Sequence, residues 1–144
     1  MDKYEKIVYG IIVAMGIAFI VFINMDFTGH KMKFEENIIK IDGEVIKVED
    51  IESIELLDDV YIGNKISGAN TFTYSRGSFK VGGNKEGRVY IYNDSKPYIQ
   101  IITKDKLYIY NDKEGSETEK TYGELIIRYN IKSNSNVEIG KFVK

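Results

Sequence analysis

Few side chains in this sequence are spaced for chemistry, and each has a bland alternative. The single histidine, His30, stands in the polar stretch between an apolar run and the first strand signal. A catalytic base or metal ligand needs partners held around it. The neighbouring sequence supplies none, so His30 is expected to be a solvated linker residue. Glu35-Glu36 and Asp58-Asp59 are adjacent acidic pairs. Neighbours on a strand point to opposite faces, so neither pair converges on one proton or one metal ion. Gly63-Asn64-Lys65-Ile66-Ser67-Gly68 has the glycine spacing of a phosphate-binding loop, but Ala69-Asn70 replaces the required Lys-Ser/Thr and no helix signal follows. Zero cysteines remove thiolate chemistry and disulfides alike. No catalytic residue, metal site or cofactor is expected, and the chain reads as non-enzymatic.

Binding leaves two candidate surfaces. Lys65, Arg76, Lys80, Lys85 and Arg88 are basic residues around the middle loops. They are the candidate contacts for an anionic lipid headgroup or small ligand. Against them, the first two hairpin turns carry Glu35, Glu36, Asp42 and Glu44, which repel phosphate. The second surface is aromatic. In Arg88-Val89-Tyr90-Ile91-Tyr92 and Lys106-Leu107-Tyr108-Ile109-Tyr110 the aliphatic and tyrosine positions alternate. With the aliphatic side turned inward, Tyr90, Tyr92, Tyr108 and Tyr110 line an outer sheet face. Tyrosine is a rigid, amphipathic contact residue, so this is the candidate protein-interaction face; the alternative is cross-strand aromatic pairing within the sheet. Nucleic acid is not an expected partner, because 20 basic against 22 acidic residues leave no cationic surplus to displace phosphate counterions.

The elements that position these residues begin with an apolar run. Ile7 to Ile23 contains seventeen residues without a charged or amide side chain, eleven of them Ile, Val or Phe. As a helix it covers about 25 Å, slightly less than the roughly 30 Å of a hydrocarbon layer. It has no polar face, unlike a helix packed on a soluble core. Its exit, Phe22-Ile23-Asn24-Met25-Asp26, lacks the small residues of a cleavage site. Residues 1–25 are therefore expected to be an uncleaved transmembrane anchor, with residues 7–23 in the bilayer. Lys3 and Lys6 precede it and Lys31, Lys33 and Lys40 follow. Lys6 abuts the helix, which tips the expected orientation toward an extracytoplasmic domain. Gly10, Ala14 and Ala18 form a small-residue stripe along one side, a candidate helix-packing surface.

Residues 26–31 read as a linker. Beyond it, alternation broken by turn signals predicts an antiparallel meander. Met32 to Phe34 is a short strand, and Ile38–Ile41 and Val45–Val48 flank Asp42-Gly43, a hairpin turn favouring positive φ at both positions. Further strands are expected at Ile51–Leu57, Phe72–Val81, Arg88–Tyr92, Tyr98–Thr103 and Lys106–Tyr110, with a loop at Gly82–Gly87. Ser116-Glu117-Thr118-Glu119 then has the form of a capping box. Tyr122, Leu125, Ile126 and Tyr129 follow at helical spacing, one apolar face. Residues 130–144 read as a polar linker and tail, with a loose strand over Val137–Val143.

From Lys31 to Tyr129 the chain resembles the bacterial pleckstrin-homology-like (PH-like) domains. The likeness lies in Glu49-Asp50-Ile51-Glu52-Ser53-Ile54-Glu55-Leu56-Leu57, Gly63-Asn64-Lys65-Ile66-Ser67-Gly68 and Gly77-Ser78-Phe79-Lys80. It continues through Pro97-Tyr98-Ile99-Gln100-Ile101, Tyr108-Ile109-Tyr110-Asn111 and the closing helix. Lys65 departs from the arginine more usual there. The resemblance implies a mainly β fold over residues 32–129, a bent antiparallel barrel of about seven strands capped by a C-terminal helix. Such domains sit beside membrane segments and serve as binding scaffolds. The functional expectation is a cell-membrane, single-pass interaction or assembly module with a protein partner or self-association; the alternative is headgroup or small-ligand binding.

Overall fold

The computed structural model describes residues 2–24, 29–82 and 85–131. The expected strand over Val137–Val143 lies outside the described residues, as do Asp26, Phe27 and Thr28 of the linker. The first helix, α1, spans Lys3–Asn24 and none of its residues is buried. Twenty-two residues give a length of about 33 Å, and the mean hydropathy of 2.5 marks it as long and apolar enough to cross a membrane. Its start carries a reciprocal cap that the sequence reading overlooked. Asp2 Oδ1 accepts from the amides of Tyr4 and Glu5, and the Asp2 amide donates to Glu5 Oε2.

Nine strands follow among the described residues. β1 (Met32–Phe34), β2 (Ile38–Ile41) and β3 (Glu44–Lys47) form a three-stranded antiparallel meander. The β2–β3 turn is the expected two-residue connection, but only Asp42 takes a positive φ, at 50°. β4 (Ile51–Leu57), β5 (Ile62–Asn70), β6 (Tyr74–Val81), β7 (Lys85–Tyr92), β8 (Tyr98–Thr103) and β9 (Leu107–Tyr110) form one sheet in the order β4-β8-β9-β7-β6-β5. Helix α2 (Gly115–Tyr129) closes the described chain.

The mainly β architecture with a closing helix agrees with expectation, and three details differ. Among the described residues there are nine strands rather than about seven, partly because β5 occupies Ile62–Asn70, where no strand was expected. That strand is a sheet edge with mostly exposed side chains, so it shows no hydrophobic alternation to read. The meander is also interrupted: β9 pairs in parallel with β7 and antiparallel with β8. It therefore slots into the arch between β7 and β8. Finally, α2 starts two residues earlier than a Ser116 cap allows. Glu114 is the N-cap without a side-chain bond, and Thr118 is turned inward to accept from the Asp112 amide at 2.8 Å.

Both faces of the large sheet are covered. On one, Phe79, Val81, Val89, Ile91, Tyr98 and Ile109 form an aliphatic-rich cluster over which Val60 and Ile62 pack. On the other, Tyr90, Tyr108 and Tyr110 meet Ile39, Ile41 and Ile46 of the small sheet and Tyr122, Leu125 and Ile126 of α2. Full burial of each large apolar side chain contributes about 2 kcal/mol. This arrangement overturns the expected outer tyrosine face: Tyr90, Tyr108 and Tyr110 are 5%, 4% and 1% exposed, and only Tyr92 is half-buried. Period-2 alternation separates two faces correctly but cannot say whether one of them remains uncovered.

Candidate functional site

The polar residues of this fold concentrate at one end of the tyrosine face, where the chain leaves α1. Cross-strand register puts Tyr74 opposite Tyr92, Arg76 opposite Tyr90 and Ser78 opposite Arg88. Alternation therefore brings Arg76 of β6 onto the same face as Tyr92 of β7. Into this corner comes His30, only 1% exposed and not solvated as expected. Its Nε2 lies 2.8 Å from the Asn111 carbonyl oxygen, and Arg76 Nε donates to its Nδ1 at 2.8 Å. A guanidinium has only donors and a carbonyl only accepts, so the partners dictate a neutral ring with its hydrogen on Nε2. The ring lies 4.4 Å from the Tyr92 centroid and meets Tyr110 edge-on at 5.4 Å. The Arg76 guanidinium sits 4.1 Å above Tyr74, a cation–π contact that compensates its half-buried charge.

Asn111, which is fully buried, is the hub. Its Nδ2 donates to the carbonyls of Tyr92 and Ser95 at 3.0 and 2.9 Å, and its Oδ1 accepts from the Tyr92 amide at 2.7 Å. The side chain thus prolongs the ladder of β7 past the end of β9 and closes the β7–β8 arch. Beside it, Tyr110 accepts at its hydroxyl from the Met32 amide at 3.0 Å and donates to Asp112 Oδ1. Asp112 Oδ2 accepts from Thr121 of α2 at 2.6 Å. Burial first, and the Asp112 carboxylate second, push the Tyr110 phenol far above its ordinary pKa, so it stays a donor. The corner ties the segment after α1 to β6, the arch and α2 at once.

A second tie lies on the other side of residues 25–28. Asn24, the last residue of α1, accepts at Oδ1 from the Phe72 amide at 2.6 Å. Its carbonyl accepts from Thr73 Oγ1 at 2.9 Å. The end of α1 is therefore held at the β5–β6 turn, and His30 is held by the same hairpin at Arg76.

The expected basic group does not converge. Arg76, Lys80 and Arg88 share the tyrosine face of β6–β7, whereas Lys65 and Lys85 stand opposite Phe79 and Val81 on the reverse face. Arg88 is already matched, with Nε 2.9 Å from Glu44 Oε1 and Nη1 donating to Ser78 at 2.9 Å. Its Nε–H makes no aligned hydrogen bond, so the link to Glu44 is Coulombic. Next to this pair, burial and then Glu44 push the Tyr108 phenol up to about 12. An open groove of about 510 Å³ brings Lys85, Lys104 and Lys106 together with Glu86 and Asp105, a mixed lining without strong preference for an anion. Glu35 pairs with Lys40 at 2.9 Å, and among the described residues no three acidic or histidine side chains gather as a metal site. Gly10, Ala14 and Ala18 lie exposed along α1.

Sequence reasoning missed His30, Asn111 and Asp112. The partners of His30 lie 46 and 81 residues away, and no local pattern carries that information. A generic polar Asn-Asp after β9 was the only hint. Chemically the corner is a clamp: the ring is covered and both its nitrogens are engaged, so neither is free to take a substrate proton. No family model, curated protein or solved structure matches this chain.

Proposed function

We propose that this chain is a single-pass membrane protein whose β domain is a non-enzymatic interaction or assembly module held against the bilayer. The observation that carries the reading is the double tie of α1, through Asn24 to Phe72 and Thr73 and through His30 to Arg76 and Asn111. A loose tether needs no such bonds; a domain that must present one surface from a fixed position does. The apolar α1, with no buried residue, supplies the bilayer contact. The reading keeps the resemblance to PH-like scaffolds. It is supported by the strands-then-helix order, while the parallel β7–β9 pair departs from a purely antiparallel barrel. It also keeps the domain on the extracytoplasmic side and a neighbouring membrane protein or a second copy as the partner.

The test is cross-linking of the full chain in intact membranes, where a discrete heteromeric or dimeric adduct is expected. Recovery of monomer alone with linkers of several lengths and chemistries counts against the module. A cysteine placed at the exposed Lys113 reports the side: labelling by an impermeant maleimide in sealed cells supports the outward orientation, and protection reverses it.

A further inference from the structure

The β5–β6 hairpin differs from the rest of the domain in charge and surface. From Val60 to Lys85 it contains Lys65, Arg76, Lys80 and Lys85 and no acidic residue, in a chain with 22 acidic side chains. Between Lys65 and Arg76 there is no charge at all. Among the described residues outside α1 the large exposed apolar side chains are Val45, Tyr61, Ile66, Phe72 and Ile127, and three of these five belong to this hairpin or its approach. Phe72, at the turn, is 80% exposed. An isolated phenyl ring so displayed on a soluble surface gains nothing, whereas at a bilayer boundary it has a favourable place to go.

The ties described above say where that boundary is. The Phe72 amide bonds to the Asn24 side chain, so Phe72 stands at the level where α1 leaves the apolar layer. The apolar run Ile7–Ile23 is about 25 Å long against a layer of roughly 30 Å. A short span draws its flanks inward, and the flank here brings the hairpin tip with it. Lys65, Lys80 and Lys85 stand back from the turn and Arg76 is held by His30, so the tip meets the bilayer as an uncharged aromatic surface.

We infer that the β5–β6 turn is a second membrane contact, with Phe72 seated in the interface of the bilayer beside α1. The inference rests on α1 crossing that bilayer, and the test separates the two. The chain has no tryptophan, so Phe72→Trp and Ile17→Trp each introduce a sole indole into the full-length protein. Both are reconstituted in vesicles containing phosphatidylglycerol, with bromine on the acyl chains at graded depths. Ile17→Trp should lose emission to deep bromines. Phe72→Trp should be blue-shifted and lose emission to shallow bromines. Unquenched, water-like emission from Phe72→Trp beside a quenched Ile17→Trp overturns the contact and leaves the span intact. Unquenched emission from both overturns the span as well.

Discussion

The two ends of the tyrosine face solve the same problem differently. Each sets an arginine from the β6–β7 hairpin beside buried tyrosines. At one end Arg76 meets a neutral histidine and two aromatic rings, in a corner where His30 is 1% exposed. At the other, Arg88 meets Glu44, with side chains 34% and 18% exposed and Lys106 3.9 Å away. The first end is a network of directional bonds between segments remote in sequence. The second is a partly wet charge cluster. Directional bonds among buried groups are costly to break because each orphaned partner stays out of water. A half-exposed ion pair is cheap to lose, since water replaces it. Stability and the position of α1 should therefore depend on the first end and little on the second.

Asn111→Ala should be the most damaging change. It removes three side-chain hydrogen bonds and leaves the Tyr92 and Ser95 backbone groups unmatched, at a cost of about 4 kcal/mol. Urea unfolding of the protein in detergent measures it; a loss no larger than at Glu44 would erase the contrast. His30→Ala comes next, at about 3 kcal/mol for two buried hydrogen bonds and a stacked ring. It should also loosen the hold on α1, read as faster amide exchange at Met32, whose amide bonds to Tyr110.

Alkaline titration acts on both ends. Tyr108, Tyr110 and Tyr90 all have raised folded-state pKa values, chiefly through burial. The protonated phenols favour the folded state, so their contribution is complete below the unfolded value near 10 and falls as pH rises toward 12. Phenolate absorbance should consequently lag that of the free amino acid, with unfolding taking hold above pH 10. Immediate titration of every tyrosine near its ordinary value would contradict the burial. The smallest effect should come from Glu44→Gln, about 1 kcal/mol and further reduced by salt.

Local patterns made part of this legible. The apolar run gave α1, the spacing of Tyr122, Leu125 and Ile126 gave the buried face of α2, and Asp42-Gly43 gave the β2–β3 turn. β5 was hidden because an edge strand need not alternate. The insertion of β9 was hidden because partner choice among strands depends on non-local pairing, here secured by the Asn111 side chain. The clamp was least legible, since a polar residue next to an apolar helix looks the same in sequence whether it meets water or Arg76.

The β5–β6 hairpin carries a glycine pair in register. Gly68 and Gly77 face each other with φ of 106° and 129°, and a Cβ on either would stand 2.8 Å from the other's Cα. The two backbones therefore approach as closely as main-chain contact allows, and a side chain at either position would force them apart. The segment after α1 meets this hairpin at Arg76, one residue on the turn side of that pair, and the arch at Asn111, so any force along α1 is shared between the hairpin and the arch from the outset.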